Sequence, residues 1–248
     1  MSEVSLFLNV YTQTAYFDGQ GQAVPQPVRS DYLTLFARYT YGIRSNWNVG
    51  VEGLFRSVRV DSLPAPFWNI FRFGNSANSR TAITHIGPVL RWSLRPGYSP
   101  FTVQSTFYIP VARDLEGRDG SHPFLEYQGS LWWTQFQFTF PVHRNIWGFA
   151  GMDALVRWNE ANGIVPFQAG GALKGFLTLL PNNRMALYVN AEFAPTMSGF
   201  KGYYLQAGGG IKVFLGGVLE LETLATKFLA GRNSGAGSTL NAGSRVRW

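Results

Sequence analysis

Residues 203–229 read YYLQAGGGIKVFLGGVLELETLATKFL. Tyr203, Leu205, Ala207, Gly209, Ile211 and Val213 fall on one parity, while Gln206 and Lys212 fall on the other. After Gly216-Gly217 the pattern resumes, with Leu219, Leu221, Ala225 and Leu229 opposed to Glu220, Glu222 and Thr226. A period of two puts alternate side chains on opposite faces of an extended strand. Two glycines between two such runs read as a hairpin turn. One long hairpin, apolar on one face and polar on the other, is therefore written in this stretch.

The same pattern runs through the rest of the 248 residues. Twelve strands are predicted, at 4–17, 32–44, 47–60, 81–94, 101–111, 125–140, 146–158, 164–180, 185–194, 203–215, 218–229 and 239–248. They are long beside the usual strand of about 5–6 residues. About ten tilted residues cross the hydrocarbon core of a bilayer. The connections alternate in size. Short ones fall at 44–46, 95–100, 141–145, 181–184 and 215–217. Generally longer ones fall at 18–31, 61–80, 112–124, 159–163, 195–202 and 230–238. In an up-and-down topology each set collects at one end, as in outer-membrane barrels. No internal boundary interrupts the pattern, so one domain over residues 1–248 is expected.

Composition narrows the class. Charged residues are 14% and aromatics 16%, with 20 Phe, 11 Tyr and 8 Trp. That excludes a disordered chain, which needs high charge and few aromatics. Mean hydropathy is only −0.04, and no apolar run approaches the ~18 residues of a membrane helix. The net charge of +7 comes from 21 basic and 14 acidic residues, but no basic stripe or nucleic-acid motif accompanies it. There is no Cys, which excludes thiolate metal sites and Cys nucleophiles. No signal peptide follows Met1 in this numbering.

The two faces differ in charge. One face is expected to carry a single charge, Lys227 near a strand end. The other carries Arg38, Glu52, Arg56, His85, Arg91, Asp153, Arg157, Lys174, Glu192, Lys212, Glu220, Glu222, Arg245 and Arg247. A soluble sandwich or barrel would turn its apolar face inward. Here the polar face is rich in Gly, Gln, Asn, Thr and Arg and poor in Lys, which suits an interior. Aromatics also gather at both strand ends, with Trp47, Trp92, Phe101, Trp147 and Trp248 at the short turns. Tyr16, Tyr32, Trp158, Phe167, Phe193 and Tyr203 lie toward the longer loops. Two girdles match the two water interfaces of a membrane. The expected fold is an all-β, transmembrane up-and-down antiparallel β-barrel of about twelve strands, apolar face outward. Residues 125–140 have mixed parity, which predicts a bulge near Trp133.

The last strand carries a resemblance. Gly243, Val246 and Trp248 are similar to the C-terminal assembly signal of Gram-negative outer-membrane β-barrel proteins, with Ala242 standing where that signal has a polar residue. The resemblance implies a bacterial outer-membrane location and recognition by the barrel assembly machinery. The stretches 87–92 and 101–117 more distantly resemble outer-membrane proteins associated with meta-pathway phenol degradation, which implies small-molecule transport.

No catalytic residues, metal ligands or cofactor are expected. His85 alone of three histidines faces inward, and no Ser has a placed base and orienting partner. Gly208–Gly210 lacks the Lys and following helix of a phosphate loop. The inward charges are the selectivity candidates, because charges lining a pore set solute preference. Eight are basic and five acidic, an excess of 8 − 5 = +3, so an open lumen would favour anions. Arg–carboxylate networks equally can hold a barrel shut. Glu220 and Glu222 are expected to meet Arg245 and Arg247 across adjacent strands. Phe67, Trp68, Ile70, Phe71 and Phe73 make the loop 61–80 too apolar for water. A lid in the mouth, an outer-leaflet contact and a protein contact remain open for it. Three functions follow. The first is a passive channel for small anionic or amphipathic solutes, the second a closed accessory barrel in an envelope complex, and the third a membrane-embedded lipid enzyme. The expected partners are outer-membrane lipid including lipopolysaccharide, the assembly machinery and an envelope protein, with no nucleic acid.

Overall fold

Residues 203–229 do form a hairpin in the computed structural model. It describes residues 2–61, 67–95, 100–117, 120, 122–158, 167–195 and 202–248. Gly216 and Gly217, at φ 61° and 72°, take the left-handed turn that joins the two strands, a conformation that L side chains resist. Eleven more pairings of the same antiparallel kind close the sheet. The strands are β1 (Ser2–Phe17), β2 (Ala23–Arg44), β3 (Trp47–Asp61), β4 (Ser79–Ser93), β5 (Phe101–Pro110) and β6 (Ser130–His143). They continue as β7 (Ile146–Trp158), β8 (Phe167–Asn182), β9 (Met185–Pro195), β10 (Tyr203–Leu215), β11 (Leu219–Arg232) and β12 (Ser234–Arg247). Each strand pairs with its chain neighbours, and β1 pairs with β12. The seam is tied at its end, where Ser2 N–H donates to the Trp248 carbonyl at 2.8 Å and Trp248 N–H donates back at 3.1 Å. Closure leaves no unpaired edge, which is the condition for a sheet to sit in lipid.

The apolar parity faces outward. Leu6, Val49, Val51, Ile83, Leu90, Phe107, Met152, Leu173, Leu177, Val189, Leu221 and Leu240 are all exposed. Trp47, Trp92 and Phe101 form a run of ring contacts at 6.2 and 6.4 Å at the short-turn end. Trp158, Phe167, Phe193 and Tyr203 do the same near the loops, at 6.3 and 5.8 Å. Two girdle assignments change. Tyr32 lines the interior cavity, and Trp147 shares the inward parity of Asp153 and Arg157 on β7.

The outer face carries more charge than Lys227. Arg29, Asp31, Arg59 and Asp61 lie at the loop ends of β2 and β3 on the parity of Leu33 and Phe55. They neutralise one another, Arg29–Asp31 and Arg59–Asp61 each at 2.7 Å. Thr12 also donates to Asp31 at 2.7 Å. Four charges on a lipid-facing parity are tolerable because each Arg is paired with a carboxylate.

Bulges also differ from the sequence reading. β6 begins at Ser130 and pairs without a shift from Ser130↔Trp158 to Pro141↔Trp147, so no bulge lies near Trp133. The mixed parity arises because Leu131 and Trp133, on the inward parity, pack inside the lumen with Leu54 and Tyr108, while Phe138 and Phe140 on the other parity are exposed outside. The shift in this region is instead in β4, where Leu54↔His85 is followed by Phe55↔Ile83. It turns both His85 and Ala82 inward.

Gly208 and Gly210 of β10 approach their neighbour closely. A Cβ on Gly208 would collide with the Ala225 carbonyl oxygen of β11, and one on Gly210 with that of Thr223. Strand propensity alone favours Val over Gly, but the contact is with backbone, which cannot move aside cheaply. Gly208→Val should therefore destabilise the barrel, by about 1–3 kcal/mol, the usual cost of overpacking. Urea unfolding in lipid vesicles checks the sign; a gain in stability would mean the β10–β11 approach is looser.

Candidate functional site

The lumen is built in two unlike halves. Along β3–β7 it is packed. Leu54, Tyr108 and Leu131 form a buried cluster supported by Phe36, Trp133 and Leu155. Above it, the chain between β5 and β6 folds inward, so that Leu115 and Leu125 bury against Val58, with Tyr32, Ala82 and Ala112 around them. This segment is tied to itself: Leu125 and Glu126 N–H both donate to the Leu115 carbonyl, at 3.0 and 3.2 Å. Leu115 N–H donates to Gln128 Oε1 at 3.0 Å.

One carboxylate pins the inserted segment to the wall. Glu126, 3% exposed, sits 2.6 Å from Arg56 Nη1 of β3 and 3.1 Å from Arg157 Nη2 of β7. Arg157 also lies 4.6 Å over the Tyr127 ring. Burial pushes the Glu126 carboxyl up, but the Arg56 and Arg157 guanidiniums outweigh it and hold the group below the usual carboxylate range. His85 Nε2 donates to the Gly129 carbonyl at 3.1 Å, which fixes the end of the segment. His85 is thus a buried strut, with the Tyr108 ring edge-on to it at 6.4 Å.

A polar belt crosses the barrel below this level. Arg38 donates to Glu52 at 2.5 Å and to Gln104 at 2.8 Å. The chain continues from Gln104 to Gln135 at 3.0 Å and from Gln135 to Asp153 at 3.5 Å. Lys174 then bridges Asp153 at 2.6 Å and Glu192 at 3.9 Å, and Tyr204 O–H donates to Glu192 at 2.7 Å. A third group lies near the short turns. Arg247 and Arg245 reach Glu220 at 2.9 and 3.4 Å and Glu3 at 3.0 and 3.5 Å. Arg91 lies 3.9 Å from Glu3, and Lys212 lies 2.8 Å from Glu222.

The structure therefore places all fourteen sequence candidates on the inner wall, in three groups. Glu220 meets both Arg245 and Arg247, as the register Glu220↔Arg245 dictates. Glu222 does not; it opposes Gly243 there and Lys212 on β10. Glu3 near the start of β1 and Glu126 in the loop escaped the sequence reading, as did Arg80, which shares the inward parity of Val58 and lies 3.9 Å from Asp114. The Arg80–Asp114 pair cancels, and adding Glu3 and Glu126 turns 8 − 5 = +3 into 8 − 7 = +1. Every one of the eight bases lies within 4.0 Å of a carboxylate oxygen. The expected surplus of free positive charge is absent from this set.

The other half of the lumen is open. A cavity of about 780 Å³ runs beside β1, β2 and β8–β12. It extends from Gln13 and Phe124 at the loop end to Ser5, Glu220 and Arg245 near the short turns. Eight residues of β1 separate Gln13 from Ser5, about 26 Å along a strand. Its polar wall is the belt described above, and its upper wall is aromatic. Tyr11 contacts Tyr32 at 5.7 Å and Phe228 at 5.2 Å, and Phe228 contacts Tyr204 at 4.9 Å.

Residues 67–78 of the apolar loop take neither half of the lumen; residues 62–66 lie outside the described residues. The 3-10 turn, Phe67–Phe71, lies on the outside of the barrel. Ile70 is buried against Val10 and Leu33, with Leu8 and Phe55 beside them, and the Phe73 ring meets Phe55 edge-on at 5.3 Å. Val10, Leu33 and Phe55 all point outward, so a lid over the mouth is not what these residues form. Apolar side chains find apolar partners on that wall, while Leu115 and Leu125 of the segment between β5 and β6 fill the lumen beside Val58. Trp68 remains 71% exposed and Phe73 54%. The side chain of Phe67, and loop residues 159–163 and 196–201, lie outside the described residues.

No known family model matches the chain, and no curated protein matches it by sequence. Solved structures do match in shape. An outer membrane channel of the COG4313 group from Pseudomonas putida F1 superposes at TM-score 0.70, with 12% identity over 99% of this chain and 94% of that one. The beta domain of the Bordetella autotransporter BrkA superposes at TM-score 0.60, with 12% identity over 99% of both chains. The fold is that of an outer-membrane β-barrel. At such identity the likeness reaches the fold alone, and the resemblance to the phenol-degradation group is not matched by any family model.

Proposed function

We propose that the protein is a passive channel of the bacterial outer membrane for small, uncharged amphipathic solutes. The observation that carries this reading is the cavity running from the loop end to the short turns, aromatic on one wall and hydrogen-bonding on the other. A pore lined in this way offers apolar groups a surface and polar groups exchangeable partners, neither strong enough to trap them. Pairing of all eight lumen bases argues against the anion preference that the strand sequences suggest. Reconstitution tests it. Proteoliposomes should swell in small neutral solutes at rates that fall with solute size. Rates equal to protein-free liposomes for every solute would overturn the channel.

A second reading is favoured by one observation, the sealed half of the lumen. A barrel packed by Leu115, Leu125 and Glu126 and bearing exposed aromatics at Trp68 and Phe73 also suits a closed accessory subunit. Native-membrane purification in mild detergent separates the two, since the accessory barrel would co-purify with an envelope protein and the channel would not.

The outward apolar band is read as facing outer-membrane lipid, with Trp68 and Phe73 reaching the outer leaflet beside lipopolysaccharide. The assembly machinery is the proposed partner in biogenesis, through Gly243, Val246 and Trp248. Trp248 is 63% exposed, so its ring contributes little to packing. Trp248→Asp should cut the folded, heat-modifiable barrel in the membrane several-fold while leaving refolding in detergent unchanged. Equal loss in both would assign Trp248 to folding instead.

A further inference from the structure

Two cations on the outward wall have no partner in the protein. Lys227 of β11 is exposed on the outward parity, opposite Ala207 on β10 and Ser238 on β12. Arg232 ends the same strand, also exposed, and opposes Tyr203 of the aromatic girdle. Among the described residues neither side chain makes an ion pair or a hydrogen bond. The outward cations of β2 and β3 differ, since Arg29 and Arg59 each hold a carboxylate 2.7 Å away. Asp18 lies beside the β11–β12 turn, where its carbonyl accepts the Asn233 N–H. Its carboxylate is given instead to the Gln20 and Gln22 N–H groups, at 2.8 and 2.9 Å. A cation on a lipid-facing wall is costly unless it reaches the interface and an anion there. With no carboxylate supplied by the protein, the counter-charge comes from outside.

We propose that Lys227 and Arg232 bind the phosphate groups of the phosphorylated glycolipid of the outer leaflet, lipopolysaccharide. Longer loops of outer-membrane barrels face outward, so the loop-end half of β11 stands in that leaflet. Five residues separate the two cations, about 15 Å along the strand. The long Lys227 stem runs up the apolar wall and carries its ammonium toward the headgroups. Arg232 and Tyr203 already stand at that level. A guanidinium grips a phosphate through two parallel N–H bonds, and an ammonium adds a point charge. Leu229, 58% exposed between them, leaves apolar wall for the acyl chains. The site is outside the barrel, so it stands whether or not the lumen conducts. It rests on the reading that the outward band faces outer-membrane lipid.

Native mass spectrometry of the full chain in neutral detergent tests it, with lipid A, the phosphorylated glycolipid anchor, as the probe. Lys227→Met and Arg232→Gln should each weaken lipid A binding about fivefold, and the double variant about twenty-five-fold, the effect of removing one and two basic side chains from a headgroup. Lipid A stripped of its phosphates should bind wild type and double variant alike. Arg44→Gln removes an exposed cation at the short-turn end and should change nothing. Unfolding in vesicles separates binding from folding. In neutral phosphatidylcholine Lys227→Met should be at least as stable as wild type, since an unpaired charge has left the lipid-facing wall. Added lipid A should raise the unfolding midpoint of wild type and not of the double variant. Equal lipid A binding by wild type and double variant overturns the site. An equal loss with Arg44→Gln overturns it too, by showing general attraction to net charge. Phosphatidylglycerol displacing lipid A mole for mole overturns the assignment to the glycolipid. A silent Val51→Arg in vesicles overturns the lipid-facing reading itself, whereas equal lipid A binding beside a costly Val51→Arg overturns this site alone.

Discussion

Glu126→Ala should loosen residues 112–117 and 122–129 from the lumen wall and raise single-channel conductance several-fold. The substitution leaves Arg56 and Arg157 facing each other in a buried site with their shared carboxylate gone. Breaking a buried pair by removing one member costs about 3–5 kcal/mol, mostly through the charges left unpaired. The segment's remaining anchors, Leu115 and Leu125 on Val58 and the His85 bond to Gly129, are then opposed by that repulsion. Glu126→Gln should act in the same direction with a smaller effect. The pH dependence follows from the sign of the carboxyl's shift. Its folded value lies below its ordinary one, so the anchor is present from neutral pH through mild acid. It is lost only as pH falls through the depressed value, below the usual carboxylate range. Conductance should therefore stay level from pH 7 to about 5, where ordinary carboxylates remain ionised, and rise only in stronger acid. Planar-bilayer recordings across that range check both statements. A Glu126→Ala barrel with wild-type conductance would mean the segment is held by its apolar contacts alone.

Val51→Arg should destabilise the barrel in lipid by about 2–4 kcal/mol, the range for a cation near the midplane of a membrane barrel. Val51 is 44% exposed and lies midway along the outward parity of β3, paired with Tyr39 and Pro88. Ala150→Arg on β7 should cost a similar amount, since Ala150 is exposed between Phe138 and Gly175. By contrast, Thr81→Arg at the loop end of the outer face should cost much less, because Arg29 and Arg59 are already accommodated near that level. Equilibrium unfolding in vesicles measures all three. Silence at both Val51 and Ala150 would show that this face does not meet lipid.

The barrel was legible in the sequence because its two faces differ at every second residue. A single hairpin, 203–229, shows the period, the turn and the charge asymmetry together. The inserted segment was not legible for the same reason. Leu125, Glu126 and Tyr127 alternate well enough to read as strand, and period two cannot tell a strand from a loop packed against a wall. The conflict of Tyr127, Leu131 and Trp133 with Phe136, Phe138 and Phe140 signals apolar packing inside the lumen rather than a bulge. Arg59 was missed on the outer face because the parity count stopped at the apolar residues of β3. Glu3 was missed at the first turn of the barrel, where only closure by β12 brings it to Arg245 and Arg247. Pairing partners 244 residues apart, such as Arg247 and Glu3, follow from closure and not from any local pattern.

Conductance of the purified wild-type barrel in planar bilayers tests the channel most directly. The account predicts stepwise, ohmic openings and a reversal potential close to zero under a salt gradient, because the lumen bases are paired and their excess is only 8 − 7 = +1. Silence from both the wild-type barrel and Glu126→Ala, in protein whose folding is verified, would contradict it and leave the closed accessory barrel.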